Sequence, residues 1–479
     1  MNNSTRRTLL KNTLAISGAV IVTKAIATPN TDKNVILTPQ NITTDITNTD
    51  SHQSFYYANR KYESPQNSLN RDIKCNICII GGGLTGITTA LNLARAGISD
   101  IILVESDEIG SGASGINGGQ LSVGYEESMQ YVIDKYDVDL AKKLWPLSVN
   151  SVSDVRRNIN TYGIDCHWIN GIGGVAYKPE DFEDLKNEYE LLKSTFNYHN
   201  MELYNTKDTR DILASDLYHG MLYDKTSAHI NPLNYLLGIT NILTTNFKQQ
   251  ISIYTYSPVS NVEKNEQSDK FDVTIKDKFT ITANKIILAA NFSSTQIYQG
   301  ISNKTIAVRD IVLTTTPLPQ TIATSLIKNN MAVYDTRNVM NYYRLTEDNS
   351  LLFGGGAPQG SYDKKSAFLS LYNELINTFP QLQGVGVSHF WEGLESTTVN
   401  KLPYIGYTED KNVYYAQGFT GHGLNISNIA ARVMVEAITG DTTNIDFFKQ
   451  LNHISVPRNE TLQDLMSNLG VLYFKMKDW

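Results

Sequence analysis

The strongest pattern in the chain is a short unbroken apolar run that gives way to a helical one. Residues 76–80 (Asn-Ile-Cys-Ile-Ile) have the continuous apolar character of a strand buried on both faces. Gly81-Gly-Gly-Leu-Thr-Gly86 follows at once. Ile87, Ala90, Leu91 and Ala94 then recur on one helical face, and Gly97 suits the position just past the helix end. A second apolar run over 101–104 ends at Glu105. Further on the period changes to two. Phe271, Val273 and Ile275 alternate with polar residues, 276–278 turns, and Phe279, Ile281 and Ala283 alternate again, which predicts a hairpin. Residues 254–262, 285–291, 350–353 and 412–417 read as further strands. A helix is expected over 179–194, and another from 425 with Ile426, Ala430, Val433 and Ala437 on one face.

The strand–glycine turn–helix–strand–acid order is a dinucleotide-binding fingerprint. Gly81 permits the tight turn, Gly83 a close approach to a pyrophosphate, and Gly86 close packing of helix on strand. Leu84 and Thr85 open the helix whose N-terminus meets the phosphates. Glu105, with Ser106 beside it, lies where a carboxylate accepts hydrogen bonds from a ribose diol. The 254–262 strand is expected to meet the adenine near Val259.

Two more glycine segments extend the pattern. Residues 110–120 (Gly-Ser-Gly-Ala-Ser-Gly-Ile-Asn-Gly-Gly-Gln) hold five glycines in eleven positions, a loop that passes close to something flat or phosphorylated. Its placement directly after the second strand favours a flavin over a nicotinamide. Near the other end, Gly418-Phe-Thr-Gly-His-Gly-Leu-Asn425 leads into a helix. A helix N-terminus so approached is an anion site, suited to the electron-rich edge of a reduced flavin.

Composition narrows the class. The 479 residues carry 41 Lys+Arg against 48 Asp+Glu, a formal charge of −7, which argues against a nucleic-acid partner. No apolar run reaches the ~18 residues of a membrane span. Three cysteines exclude a disulfide framework. Cys75 and Cys78 have C-x-x-C spacing, but three positions apart on a strand they are expected on opposite faces. The scattered histidines offer no metal-ligand spacing, so no metal is expected. Residues 1–27 combine Thr5-Arg-Arg-Thr-Leu-Leu-Lys11, a weakly apolar middle and Ala25-Ile-Ala27. They read as a twin-arginine signal peptide, with export to the periplasm, or membrane attachment if the signal is retained. Residues 28–71 are polar and aperiodic and read as a linker, in which 55–57 (Phe-Tyr-Tyr) interrupts the polarity.

These segments together resemble the D-amino acid oxidase-like FAD superfamily, and within it the gamma-glutamylputrescine oxidoreductase branch. The likeness runs from Ser54 to Trp479 through 112–120, 228–233 (Ala-His-Ile-Asn-Pro-Leu), 341–346 (Asn-Tyr-Tyr-Arg-Leu-Thr), 352–356, 378–384 and 415–423. It implies an α/β fold: a discontinuous Rossmann-type FAD-binding domain (72–160, 222–295 and 388–450), and an α+β substrate domain with an antiparallel sheet (161–221 and 296–387). Residues 451–479 would be an extension. FAD would be held by Gly81, Gly83, Leu84, Thr85, Gly86, Glu105, Ser106, Gly112, Ala113, Ser114, Asn117, Gly118, Gly119, Gln120, Val259, Gly421, His422, Gly423 and Leu424. Ile116 stands where the family usually has Arg.

The activity implied is oxidation of an amine C–N bond by hydride transfer to flavin N5, then imine hydrolysis. The acceptor would be dioxygen or a respiratory partner. Candidate pocket residues are Tyr342, Arg344, Trp391 and His422. Arg344 reads equally as a bidentate grip on a substrate carboxylate or as a salt-bridged surface arginine. Trp391 suits a pocket wall or a core, and His422 a flavin contact or a backbone-bonded loop histidine. Glu392 and Glu395 could attract a cationic polyamine. An exported amino acid deaminase and a non-catalytic flavin-binding protein are the competing readings.

Overall fold

The computed structural model describes residues 39–356, 362–459 and 468. The twin-arginine segment lies outside the described residues. Two sheets organise the fold, with strands numbered along the chain. The first is built on β1 (Ile73–Ile80), β2 (Ile101–Val104), β7 (Ile251–Tyr254), β10 (Phe279–Leu288), β16 (Tyr404–Tyr407) and β17 (Val413–Gln417), in the order β16-β17-β10-β1-β2-β7. All neighbours in this row are parallel except β16 and β17. β8 (Val259–Asn265) and β9 (Lys270–Ile275) continue from β10 as an antiparallel meander. One correction concerns β10. The second arm of the hairpin and the strand expected over 285–291 are a single strand. Its first half pairs with β9 and its second half with β17, so the alternating and the fully buried patterns follow each other on one element.

The second sheet runs β15-β11-β14-β13-β12-β4-β6-β3, with β5 on the side of β6. Its strands are β3 (Gln120–Leu121), β4 (Ile169–Val175), β5 (Met201–Asn205), β6 (Gly220–His229), β11 (Thr305–Thr315), β12 (Ala332–Asp335), β13 (Asn341–Leu345), β14 (Leu351–Gly356) and β15 (Val387–Thr398). This redraws the expected boundaries. β6 and β15 pair inside this sheet rather than the first, because β6 zips onto β4 and β5, and β15 onto the whole of β11.

Eight helices matter below: α1 (Phe55–Ala58), α2 (Leu84–Arg95), α3 (Ala113–Ile116), α4 (Val138–Tyr162), α5 (Pro179–Phe196), α6 (Pro232–Asn246), α7 (Lys364–Thr378) and α8 (Gly423–Ile438). α2 and α8 pack together, α8 also lies on α4, and α6 lies against α2 and α3. Their apolar faces and one face of β1 and β2 make the main core. α7 covers a second core on the back of β11 and β14. Among the described residues no helix is long and apolar enough to cross a membrane.

The segment read as a linker is ordered from residue 39 onward. Val387 N–H donates to Asn41 O at 2.8 Å, Thr43 N–H to Val387 O at 3.0 Å, and Glu392 N–H to Thr49 O at 3.1 Å. Residues 41–49 thereby close the outer edge of β15, and Phe55 and Tyr56 anchor fully in the core. Polar composition misled here because main-chain bonds fix residues 41–49 against β15 and only two aromatic side chains, Phe55 and Tyr56, enter the core. Cys75 and Cys78 also depart from expectation. Both pack in one cluster between the sheet and its meander, since β1 is irregular at Asn76, where two successive N–H groups share Asp100 O.

Candidate flavin site

Sequence dictates the first turn almost completely. Gly81 has φ +113°, and a Cβ on it would lie 2.4 Å from Ala289 O; one on Gly86 would lie 1.9 Å from Gly81 O. Only glycine fits either position. α2 has no cap from its own Gly83; instead Ser114 Oγ, from the second glycine loop, accepts Leu84 N–H at 2.9 Å. A Cβ on Gly83 would come 2.7 Å from that hydroxyl, so Gly83 also lets the two loops meet. Thr85 is buried in the same first turn. The Glu105 carboxylate accepts Gly82 N–H at 2.7 Å, Ser106 O–H at 2.7 Å and Asp107 N–H at 3.0 Å. It is thus fixed at the rim of the turn, where a ribose would meet it. Ser257 N–H donates to Glu105 O at 2.8 Å and brings Val259, at the head of β8, alongside.

The second loop is pinned on all sides. Gly112 precedes α3, and the Asn117 amide donates to Ala113 O and Ser114 O at 3.0 Å each while its Oδ1 accepts Gly119 N–H at 2.8 Å. Gln120 donates to Val333 O at 2.9 Å and Trp391 Nε1–H to Ile116 O at 2.8 Å. Arg344 is 0% exposed. It donates to Gly118 O at 2.8 Å, Tyr56 Oη at 2.9 Å, Ile230 O at 3.0 Å and Leu345 O at 3.1 Å. A Cβ on Gly119 would lie 2.8 Å from its Nη2.

One strand bridges both halves of the cleft. On β15, Trp391, Gly393, Glu395 and Thr397 share a face by alternation. Trp391 holds Ile116, and a Cβ on Gly393 would sit 3.2 Å from Ile116 Cδ1. Glu395 Oε2 accepts Gly421 N–H at 2.7 Å, and Thr397 Oγ1 lies 3.0 Å from Thr420 Oγ1. The same face therefore reaches from the second glycine loop to the loop before α8. Register adds its neighbours. Asp310 is opposite Gly393, Val312 opposite Trp391 and Gly354 opposite Val312; Tyr342 faces Gly354, and Tyr334 faces Tyr342. The Tyr342 ring fills the space above Gly118 and Gly354. Around the rim, Glu126 meets Lys401 Nζ at 3.2 Å and His422 Nδ1 at 3.6 Å. Gly112 faces open space, a Cβ on Gly421 or Gly423 would meet only Glu126 Oε2 at 3.9 Å or Phe419 Cδ2 at 3.8 Å, and Leu424 is buried in the first turn of α8. These uncrowded glycines, two helix starts and a ribose-side acid form a cradle that fits a long, flat, anionic dinucleotide.

The electrostatics of this face are acidic. Burial, and then the charge of Glu126, pushes Asp310 up to about 6. Burial, and then the charge of Asp310, pushes Glu395 up to about 8. The Tyr342 hydroxyl is raised well above its ordinary value, by burial and next by Asp310.

Two expectations for the pocket change. Arg344 is not a substrate grip: its donors are spent on backbone and on Tyr56, and it braces the flavin loop from behind. Trp391 is fully buried against Tyr56 and Ile116 and braces the same loop. Glu392 points to the opposite face, where it pairs with Arg309 at 2.8 Å and with the Tyr362 hydroxyl. Tyr342 and His422 do lie in the cleft. Asp310, Glu126, Lys401 and Tyr56 were missed. Asp310 gave one signal only, a carboxylate inside a strand that otherwise turns apolar at Ile311.

The family model of FAD dependent oxidoreductases matches residues 76–437. The chain belongs to that family. It is an FAD-dependent oxidoreductase, and FAD is the cofactor the cradle holds. Gamma-glutamylputrescine oxidoreductase of Escherichia coli (strain K12) is 32% identical over 431 residues, covering 90% of this chain and 99% of that protein. A probable oxidoreductase, OrdL, of Haemophilus influenzae is 33% identical over 89% of this chain and 97% of its own length. Among solved structures, glycine oxidase from Geobacillus kaustophilus superposes with a TM-score of 0.68 at 18% identity, over 80% of this chain and all (100%) of that one. That superposition shows the shared α/β fold.

Proposed function

We propose that this flavoenzyme oxidises the C–N bond of an amine rather than of an α-amino acid. The observation that carries the reading is the state of Arg344. The one arginine that sequence offered for a substrate carboxylate is locked behind the flavin loop, while the face over the cleft presents Tyr342, Asp310 and Glu395. A carboxylate brought to that face would meet like charge; an ammonium would meet its complement. The name of the Escherichia coli relative agrees with an amine substrate.

Bound FAD supplies the two-electron acceptor. The chain's own residues do the rest. Tyr342, packed on Gly118, forms the apolar wall that keeps water from the reacting carbon. Glu395, held by Gly421 N–H beside the α8 loop, is placed to take the proton that an ammonium must lose before its α-carbon gives up hydride. With a pKa raised to about 8 it is matched to such a transfer near neutrality. Electrons then pass to dioxygen or to a respiratory acceptor.

Anaerobic titration of the holoenzyme tests this reading. Gamma-glutamylputrescine or a simple amine is expected to bleach the flavin absorbance; bleaching by amino acids alone would replace it with a deaminase. We also propose export through the twin-arginine route, carried by Arg6 and Arg7. Lysine at both positions is expected to keep the protein in the cytoplasm on fractionation, and unchanged export would remove the proposal.

A further inference from the structure

The glycine loop over 110–120 carries no Lys, Arg or His of its own. A guanidinium reaches it all the same, from β13. Arg344 Nε–H donates to Gly118 O at 2.8 Å, and a Cβ on Gly119 would lie 2.8 Å from Nη2. The side chain is completely buried.

Its charge exceeds what its bonds require. All four acceptors, Gly118 O, Leu345 O, Ile230 O and Tyr56 Oη, are neutral. A buried cation is costly to desolvate, and the usual compensation is a carboxylate in contact. Other cations around the cleft follow that rule: Arg309 meets Glu392 at 2.8 Å, and Lys401 meets Glu126 at 3.2 Å. Arg344 makes no ion pair among the described residues. Glu347, three residues on, turns its Oε1 to the Asn231 amide at 3.0 Å, and its Oε2 is buried without a hydrogen-bond partner. The two charges still oppose each other across this region. Burial raises the Tyr56 hydroxyl, and beyond that Arg344 lowers it while Glu347 raises it.

A cation left unneutralised against the flavin loop is a standing attraction for negative charge on that loop. Two electrons and one proton turn the neutral ring of FAD into an anion, and in a dry interior such a charge acts far more strongly than in water. We propose that Arg344 sets the redox poise of this enzyme, its buried and unpaired charge raising the reduction potential of FAD by favouring the anionic reduced ring. This role goes beyond bracing the loop. It also stands apart from the amine reading, because electrons from any substrate enter the same ring.

The test is anaerobic equilibration of holoenzyme with a reference dye, in which the ratio of reduced to oxidised FAD is read at one dye potential. Arg344→Lys keeps the charge; Arg344→Gln keeps an amide donor and loses the charge. The glutamine variant is expected to lower the ratio about 10-fold, which is about 30 mV for a two-electron couple, while the lysine variant stays within about 3-fold of the parent. Sulfite, which adds to the oxidised ring as an anion, is expected to bind the glutamine variant about 10-fold more weakly by spectral titration. A glutamine variant with the parental ratio, or equal shifts in both variants, overturns the proposal and leaves Arg344 a brace alone. If either variant releases FAD, Glu347→Gln decides, since it removes the opposing charge and leaves every Arg344 contact in place. It is expected to raise the ratio about 3-fold; an unchanged or lowered ratio overturns the proposal. None of these readouts involves an amine, so failure here leaves the proposed substrate class standing, and the reverse.

Discussion

Arg344 shows how much one side chain can hold without touching substrate. Its guanidinium joins α1 through Tyr56, the flavin loop through Gly118, and the entrance to α6 through Ile230. Methionine at this position fills similar volume but takes the arginine donor from three carbonyls and a hydroxyl, each costing about 1–3 kcal/mol where it stays buried and unpaired. Arg344→Met is therefore expected to lower the melting temperature and release FAD on gel filtration, with the loss read as a falling ratio of flavin to protein absorbance. A substrate grip predicts something different: tight FAD, an unchanged melt and a raised KM. Local sequence could not separate the two roles, because both place an arginine after two aromatic residues on a strand. What decides is the set of carbonyls around it, and those come from Gly118 and Ile230.

At the scale of elements, β15 is both the roof of the cleft and the last strand of its sheet. Its outer edge is covered by residues 41–49 through main-chain bonds to Val387 and Glu392. An exposed strand edge invites pairing with another chain. A chain beginning at Asp50 is expected to dimerise or aggregate on light scattering, whereas one beginning at Pro39 stays monodisperse relative to the full chain. The parts of the fold legible in the sequence were those whose partners are near in sequence. β1, the glycine turn, α2 and β2 follow one another, and a buried run, a 3.6 period and a second buried run announce them. β11 and β15 are different. Their pairing joins residues 305–315 to 387–398, and nothing in either segment names the other. Asp310 was illegible for that reason: only the register brings it to Gly393 and Glu395. Residues 41–49 hid for a second reason, since a strand edge accepts any side chain that leaves its backbone free.

At the scale of the whole molecule, buried titratable groups pull in opposite directions. Asp310 and Glu395 bind protons more tightly folded than unfolded, so between about pH 4 and pH 8 their contribution to stability falls as pH rises. His229, 0% exposed and held neutral by burial, does the reverse: its pKa is lowered, and its contribution is recovered as pH rises through the unfolded value near 6.5. Net slopes therefore mix both signs, and the difference between proteins is the clean quantity. The doubly substituted Asp310→Asn, Glu395→Gln protein is expected to gain melting temperature over the parent as pH increases from 5 to 8, with little difference at the acid end. A parallel pair of melting curves against pH would show that the two acids face solvent.

The polypeptide changes sheets repeatedly: β1 and β2, then β3 to β6, then β7 to β10, then β11 to β15, and back to β16 and β17. Such a path works like a seam sewn back and forth through two pieces of cloth. No single cut frees either piece, and the first cannot be finished before the last stitch. The final strand of the first sheet and the start of α8 come only after the roof of the cleft in sequence, so the cleft is whole only once β17 has docked beside β10.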